Sequence, residues 1–348
     1  MPDIISESIK SNISKFSIYP STSGDIKLRQ ACSNWLHKRY NISVSPLNEI
    51  LPVNGTREGL FNFIQSCINN LNYNPVIICG DPFYQIYEGS GILADAQMYF
   101  LNTYNNNFIP NWEDVPEEIF KKTQIVIVCS PNNPTGKVFD LNDWKLLFEY
   151  QQKYNFIIMS DECYSEIYFD KAPIGILESS NKLGLNYDNK IMFTSLSKRS
   201  NVPGLRSGFV AGDRKLIKDF LLYRTYSGGA MSLAIQEASS AAWLDEDHVI
   251  KNRHMYKEKF TKILPILNQK FNISLPDASF YIWLPLTNIS DKDFTKKLFK
   301  ERSVLVLPGS FLSKYTNYDS NIMGYIRISL VEDIEKCIQA ANRIVELI

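Results

Sequence analysis

The 348-residue chain has no excess of either charge, no CxxC pair, and no apolar run approaching the roughly 18 residues that a membrane span requires. Each absence removes a class of function. Lysine plus arginine and aspartate plus glutamate both number 37, so no overall field draws the protein to nucleic acid or to an acidic membrane surface, and any recognition must be local. The six cysteines, at positions 32, 67, 79, 129, 163 and 337, sit mostly inside apolar runs. That pattern suits buried free thiols in a reducing compartment and argues against a zinc or other metal site. The N-terminus lacks a basic-then-apolar signal, and the expectation is a soluble cytoplasmic protein. No G-x-G-x-x-G or P-loop follows the early strands, which disfavours a nucleotide binder. No internal repeat is present, and the one biased patch, Asn102 to Asn107, reads as a loop.

The length suits two domains, or one large α/β domain with a cap. Pro75 to Gly80, Gln124 to Cys129 and Phe156 to Ser160 are unbroken apolar runs, and an amphipathic helix from about Asn142 to Tyr154 separates the last two. Strands that are apolar throughout belong to a parallel sheet with helices on both faces. Ligands in such sheets sit beyond the carboxyl ends of the strands. Chemistry-bearing residues fall at that edge: Tyr84, Asn133, Asp161 and Tyr164, and then Lys198 after a fourth apolar run from Ile191.

Lys198 follows Ser195 and Ser197, and Arg206 comes eight residues later in a Pro-Gly turn leading into the strand Gly208 to Gly212. A lysine at a strand end backed by hydroxyls suits a Schiff base, because partial desolvation lowers its pKa; taken alone, it is more simply a solvated surface lysine, since lysines are mostly exposed. Gly55-Thr56-Arg57 opens a helix after the extended piece Leu51 to Asn54 and could present backbone N–H groups to an anion, or simply cap the helix with Thr56 as N-cap. Tyr84 could stack on a flat ligand or pack in the core, and Tyr19 precedes the amphipathic helix Asp25 to Tyr40 on a turn-forming loop. Past Gly212 the pattern turns helical, at Arg214 to Tyr226, Ser232 to Trp243 and about His248 to Phe271. Strands are then expected at Ala278 to Pro285, Val304 to Leu307 and Tyr325 to Leu330, closed by a helix from Glu332 to Ile348. Arg327 lies within one of those strands and needs a carboxylate ligand or a structural ion pair.

Asn133-Pro-Thr-Gly136, Asp161-Glu-Cys-Tyr164, Ser195-Leu-Ser-Lys198, Arg206 and Arg327-Ile-Ser329, in this order and at these intervals, resemble the class I/II aminotransferases, pyridoxal-phosphate enzymes of fold type I. The resemblance implies an α/β fold: a large domain (residues 20–250) with a mostly parallel seven-stranded sheet covered by helices, plus a smaller α+β domain (residues 1–19 and 251–348). It implies pyridoxal 5'-phosphate as cofactor, with Lys198 as the Schiff-base lysine and proton carrier, Asp161 on the pyridine nitrogen, and Asn133 and Tyr164 on the ring oxygen O3′. Tyr84 would stack on the ring, while Gly55, Thr56, Arg57, Ser195, Ser197 and Arg206 would hold the phosphate. Arg327, with Asn133, would clamp the substrate α-carboxylate. Tyr19 would reach the phosphate of a neighbouring subunit, which implies a homodimer with shared active sites.

The segments YPSTSG, DPFYQIYEG, SDECYSEIYFD and SLSKRSNVPGLRSGFVAGD are similar to one branch, the bacterial N-succinyldiaminopimelate aminotransferases of lysine and peptidoglycan-precursor synthesis. That likeness implies N-succinyl-LL-2,6-diaminopimelate as donor and the 2-oxoglutarate/glutamate pair as partner substrates. The alternatives within the fold are an aspartate-type aminotransferase, a β C–S lyase, and a cofactor-binding protein without turnover. Arg199, Arg224 and Arg29 are the candidates to hold the donor's distal carboxylate. Members of the family usually carry a few tens of residues before the stretch matching Pro2, including a glycine-containing loop that helps to close over the substrate.

Overall fold

The computed structural model describes residues 1–71, 74–315 and 322–347. Ten strands are assigned among them: β1 (Ile50–Val53), β2 (Val76–Asp81), β3 (Gln97–Asn102), β4 (Thr123–Cys129), β5 (Ile157–Asp161), β6 (Lys190–Ser195), β7 (Gly208–Gly212), β8 (Tyr281–Leu286), β9 (Leu307–Pro308) and β10 (Gly324–Ser329). The first seven form one sheet in the order β1-β7-β6-β5-β4-β2-β3. Only β7 opposes its neighbours, being antiparallel to both β1 and β6; the other pairings are parallel. The expected seven-stranded, mostly parallel sheet is therefore present. Its central strands are buried along nearly their whole length, as continuous apolar runs require.

Helices cover both faces and start where the chemistry allows. Asp25 caps the helix Ile26–Tyr40 by accepting from the Lys27 N–H, and Asp140 with Asp143 forms a capping box at the start of Leu141–Tyr154. One apolar core, including Trp35, Trp144 and Trp243, fills one side of the sheet, and a second, including Phe63, Phe193 and Phe220, fills the other. The first helix, Asp3–Ser11, lies against the helix Leu233–Leu244, and Ile5 joins the larger of these cores. Residues expected to sit with the small domain thus rest on the large one, because Ile5 finds its apolar partners there.

The second sheet has the order β8-β10-β9 and a core of its own, packed by the helices Asp247–Leu267, Asp291–Arg302 and Ile334–Val345. Its strands differ from the expected bounds. β8 begins at Tyr281, and of the stretch Val304 to Leu307 only Leu307 joins the ladder, because β10 offers pairing only at Ile326 and Arg327. The long helix Asp247–Leu267 connects the sheets. Near its start Asn252 donates to the carbonyls of Lys198 and Arg199, and further along Lys259 donates to those of Leu330 and Glu332, just beyond β10. No helix among the described residues is long and apolar enough to cross a membrane, and no group of metal-ligating side chains occurs among them.

Candidate active site

Strand order reverses between β2 and β4, since β2 leads outward to β3 before the chain returns to β4. A crevice must open at such a point beyond the carboxyl ends of the strands. A cavity of about 640 Å³ lies there, lined among others by Thr56, Arg57, Tyr84, Asn133, Asp161, Tyr164, Ser195, Ser197, Lys198, Arg206 and Arg327. Of the residues expected in the site, Gly55 lies against Arg206, and Tyr19 stands apart on a loop with 99% exposure. A larger apolar groove of about 780 Å³ runs along the helix Ile334–Val345, but it lacks a comparable set of converging polar groups.

Lys198 sits on a single helical turn, Leu196–Arg199, directly after β6, rather than on the open loop expected. Its ammonium lies 4.9 Å from the ring centre of Phe280 and 5.9 Å from that of Tyr164. Burial lowers its pKa below the ordinary lysine value, and the charges of Arg327 and Arg57 lower it further. Asp161 ends β5 and is 4% exposed. It accepts from the Tyr87 hydroxyl at 2.7 Å and from the Cys163 N–H at 3.3 Å. Burial pushes its carboxyl above the usual range, so a cation brought against it would be strongly favoured.

Gly55 starts the helix Thr56–Cys67 at φ +80 with no side-chain cap. Thr56 is therefore not the N-cap; it is the first helical residue, and its hydroxyl lies 3.0 Å from the Cys163 thiol. A Cβ on Gly55 would come within 2.3 Å of the Arg206 guanidinium, so only glycine leaves room for that cation over the helix start. Arg206 is fixed by the carbonyls of Pro203 (2.8 Å) and Asn54 (3.2 Å). With Ser195 and Ser197 opposite, this is a cup for a phosphate-sized anion. Arg57 turns elsewhere and donates from Nε to the Tyr84 hydroxyl at 2.7 Å.

Arg327 projects from β10 into the same cavity. Its Nη1 donates to Asn133 Oδ1 at 2.7 Å, and its Nε is buried with no partner among the described residues. An unsatisfied guanidinium edge is what a carboxylate would complete. The three arginines proposed for a distal carboxylate do not serve. Arg199 is buried against Glu246 (2.6 Å) and the carbonyls of Ala242 and Asp245. Arg224 makes a two-oxygen contact with Glu58 at 2.7 and 2.8 Å, and Arg29 binds the carbonyls of Pro46 and Leu47. Their charges are spent on packing.

Two residues missed in the sequence complete the site. Tyr87 holds Asp161, and Tyr281, the first residue of β8, places its hydroxyl 2.8 Å from that of Tyr164. Tyr87 was legible as the second tyrosine of DPFYQIY. Tyr281 carried no signal, because a pairing between distant segments brings it in.

The residues present fit the expected cofactor. A buried carboxylate suits a protonated ring nitrogen, an uncapped helix start with an arginine suits a phosphate, and a lysine of lowered pKa suits a carbonyl carbon between them.

Comparisons with known proteins agree. The model of the family described as aminotransferase class I and II matches residues 1–344. The LL-diaminopimelate aminotransferase of Aquifex aeolicus is 31% identical over 335 residues, 94% of this chain and 83% of that protein. An aminotransferase from Neisseria meningitidis Z2491 superposes with a TM-score of 0.94 at 51% identity, covering 99% of this chain and 88% of its own. The aminotransferase AspB of Helicobacter pylori 26695 does so with a TM-score of 0.89 at 34% identity, covering 99% and 88%. A cavity with this chemistry and relatives of this kind place the chain among the class I and II aminotransferases, enzymes that depend on pyridoxal phosphate.

Proposed function

We propose that the donor is N-succinyl-LL-2,6-diaminopimelate, with 2-oxoglutarate as acceptor, and that Lys198 carries the proton between donor and cofactor. The bound cofactor supplies an electron sink, and the chain's residues do the rest. Asp161 keeps the ring nitrogen protonated, Asn133 and Tyr164 fix the ring oxygen, Tyr84 covers the ring face, and Gly55, Thr56, Ser195, Ser197 and Arg206 hold the phosphate. Arg327, steadied by Asn133, takes the α-carboxylate and so aims the α-hydrogen at Lys198.

The choice of donor rests on one observation: Asp161 is the only acidic residue lining the cavity among the described residues, and it is engaged at the floor. The mouth carries Arg57, whose Nε is given to Tyr84 and whose terminal nitrogens, with no hydrogen-bond partner among the described residues, would meet a distal carboxylate. A succinylated donor presents two carboxylates and an uncharged amide at its distal end, whereas unmodified LL-diaminopimelate presents a carboxylate with an ammonium that would face Arg57 with no acidic residue to answer it. The names of relatives such as the Aquifex enzyme favour the unmodified compound as a second reading. Measuring kcat/KM for both donors, with aspartate and glutamate for comparison, decides between them; a higher value for unmodified diaminopimelate or for aspartate overturns the choice.

The working unit in this reading is a homodimer of chains divided near residue 250. Tyr19, fully exposed and next to the exposed Phe16 and Ile18, is free to cross to a partner. Mixed Tyr19→Phe and Lys198→Ala chains would then form hybrids with one doubly altered site and one intact site, and an active monomer in sedimentation would refute the assembly.

A further inference from the structure

Tyr281 lines the cavity and touches both Tyr164 and Arg327. It opens β8, is 5% exposed, and is locked in register by pairing with Ser329 on the strand that carries Arg327. Its hydroxyl lies 2.8 Å from the Tyr164 hydroxyl, and the Arg327 guanidinium sits 4.4 Å from the centre of its ring. A phenol pair at that distance shares one hydrogen bond, so one tyrosine donates and the other keeps its proton for a third partner. The cation over the Tyr281 ring favours negative charge on that phenol and makes it the stronger donor of the two, in the same sense as the opposed influences each exerts on the other's pKa. The 2.8 Å contact accommodates either hydroxyl as donor; with Tyr281 donating to the Tyr164 oxygen, the proton of Tyr164 is left for a partner in the cavity.

We infer that Tyr281 is a positioning residue with two separable tasks: its hydroxyl orients and strengthens Tyr164 as a donor to the cofactor's ring oxygen, and its ring is the platform that aims Arg327 at the substrate carboxylate. The inference rests on the reading that Tyr164 faces that oxygen. Hydrogen bonds in series polarise one another, so losing the first weakens the second. A ring oxygen with a weaker donor is less stable as an anion, and the Lys198 nitrogen bound beside it keeps its proton to higher pH.

The test uses the cofactor-loaded enzyme without turnover. The pH midpoint of the cofactor's visible absorption band is measured for wild type, Tyr164→Phe, Tyr281→Phe, Tyr281→Leu and the double phenylalanine variant. Affinity for glutarate, a dicarboxylate with no amino group to transfer, is read from the same spectra. Tyr281→Phe should raise the midpoint by about half a unit, less than Tyr164→Phe, and leave glutarate affinity within about twofold. The double variant should match Tyr164→Phe alone, because the hydroxyl of Tyr281 acts only through Tyr164. Tyr281→Leu should raise the midpoint similarly and also weaken glutarate about three- to tenfold through loss of the cation–ring contact. Additive midpoint shifts, or a Tyr281→Phe midpoint equal to wild type, would overturn the relay. Unchanged glutarate binding in Tyr281→Leu would overturn the platform. A Tyr164→Phe midpoint equal to wild type would show instead that the reading of the ring oxygen is wrong, and both would fall together.

Discussion

Two pairs of adjacent residues, Asp161-Glu162 and Lys198-Arg199, each send one charge forward into the cavity and one backward into the packing. Asp161 faces the floor of the site, while Glu162 accepts from the Ser160 hydroxyl at 3.0 Å and the Ile176 N–H at 2.8 Å. Lys198 lines the cavity, while Arg199 is wedged against the rings of Trp35 and Trp243 and paired with Glu246. Burial alone does not separate the two roles, because the back residues are at least as buried as the front ones. What separates them is whether the charge has already been answered by the protein. Glu246 and two carbonyls answer Arg199; Arg327 has only the Asn133 amide and no carboxylate among the described residues, and Lys198 has a lowered pKa, so both await something brought from outside.

Exchanging front for back should therefore exchange the phenotype. Lys198→Ala should cost about 10⁴-fold or more in turnover while leaving the urea unfolding midpoint at or above that of wild type, since a partly desolvated cation has been removed. Borohydride reduction should fix the cofactor to Lys198, and a modified peptide carrying any other lysine would end the distinction. Arg199→Ala should do the reverse, losing about 3–5 kcal/mol of stability by leaving Glu246 and buried carbonyls unmatched, with any residual folded enzyme near normal in kcat. Arg199→Ala protein that is fully stable would show that the back pair is idle.

Glu162 gives a subtler version. Burial raises its pKa to about 7 from an ordinary 4.5. The folded state then binds more protons than the unfolded one between those values, so this group costs stability as pH rises from about 4.5 to 7, by up to ~3 kcal/mol. Glu162→Gln should flatten that fall, as seen by comparing urea midpoints at pH 5 and 7.5, and identical slopes would show that the carboxylate is not the cause. The smallest effect is expected at the mouth. Arg57→Gln should reduce kcat/KM for a donor with a distal carboxylate by about 10- to 100-fold and spare alanine, whereas Arg224→Gln should change stability and not this ratio.

Much of the site was legible because its residues follow strands that announce themselves. β4, β5 and β6 are buried on both faces, so continuous apolar runs marked them and also marked the polar residues at their ends. β3 escaped notice although Met98 to Leu101 is an unbroken apolar run, because that run is short, lies at the partly exposed sheet edge and leads into the Asn-rich loop rather than into a motif. The arginines misled for a related reason: Arg199 adjoins Lys198 in the chain, but one helical turn rotates adjacent side chains by about 100°, enough to send one to the cavity and the other to the core. The position of Arg57 at a helix start suggests the phosphate, and nothing in the sequence signals the 2.7 Å bond that its Nε makes to the Tyr84 hydroxyl.

Asn252 and Lys259 stand seven residues apart on the helix Asp247–Leu267, one gripping the backbone of the Lys198 turn and the other the end of the strand that carries Arg327. Two turns of α-helix measure ~10 Å and are hard to stretch. On the roles proposed for Lys198 and Arg327, the helix is a ruler laid between the amine and the guanidinium, setting a gauge that an α-amino acid would fit and that a β- or γ-amino acid, with its carboxylate one or two carbons further from the amine, would overrun.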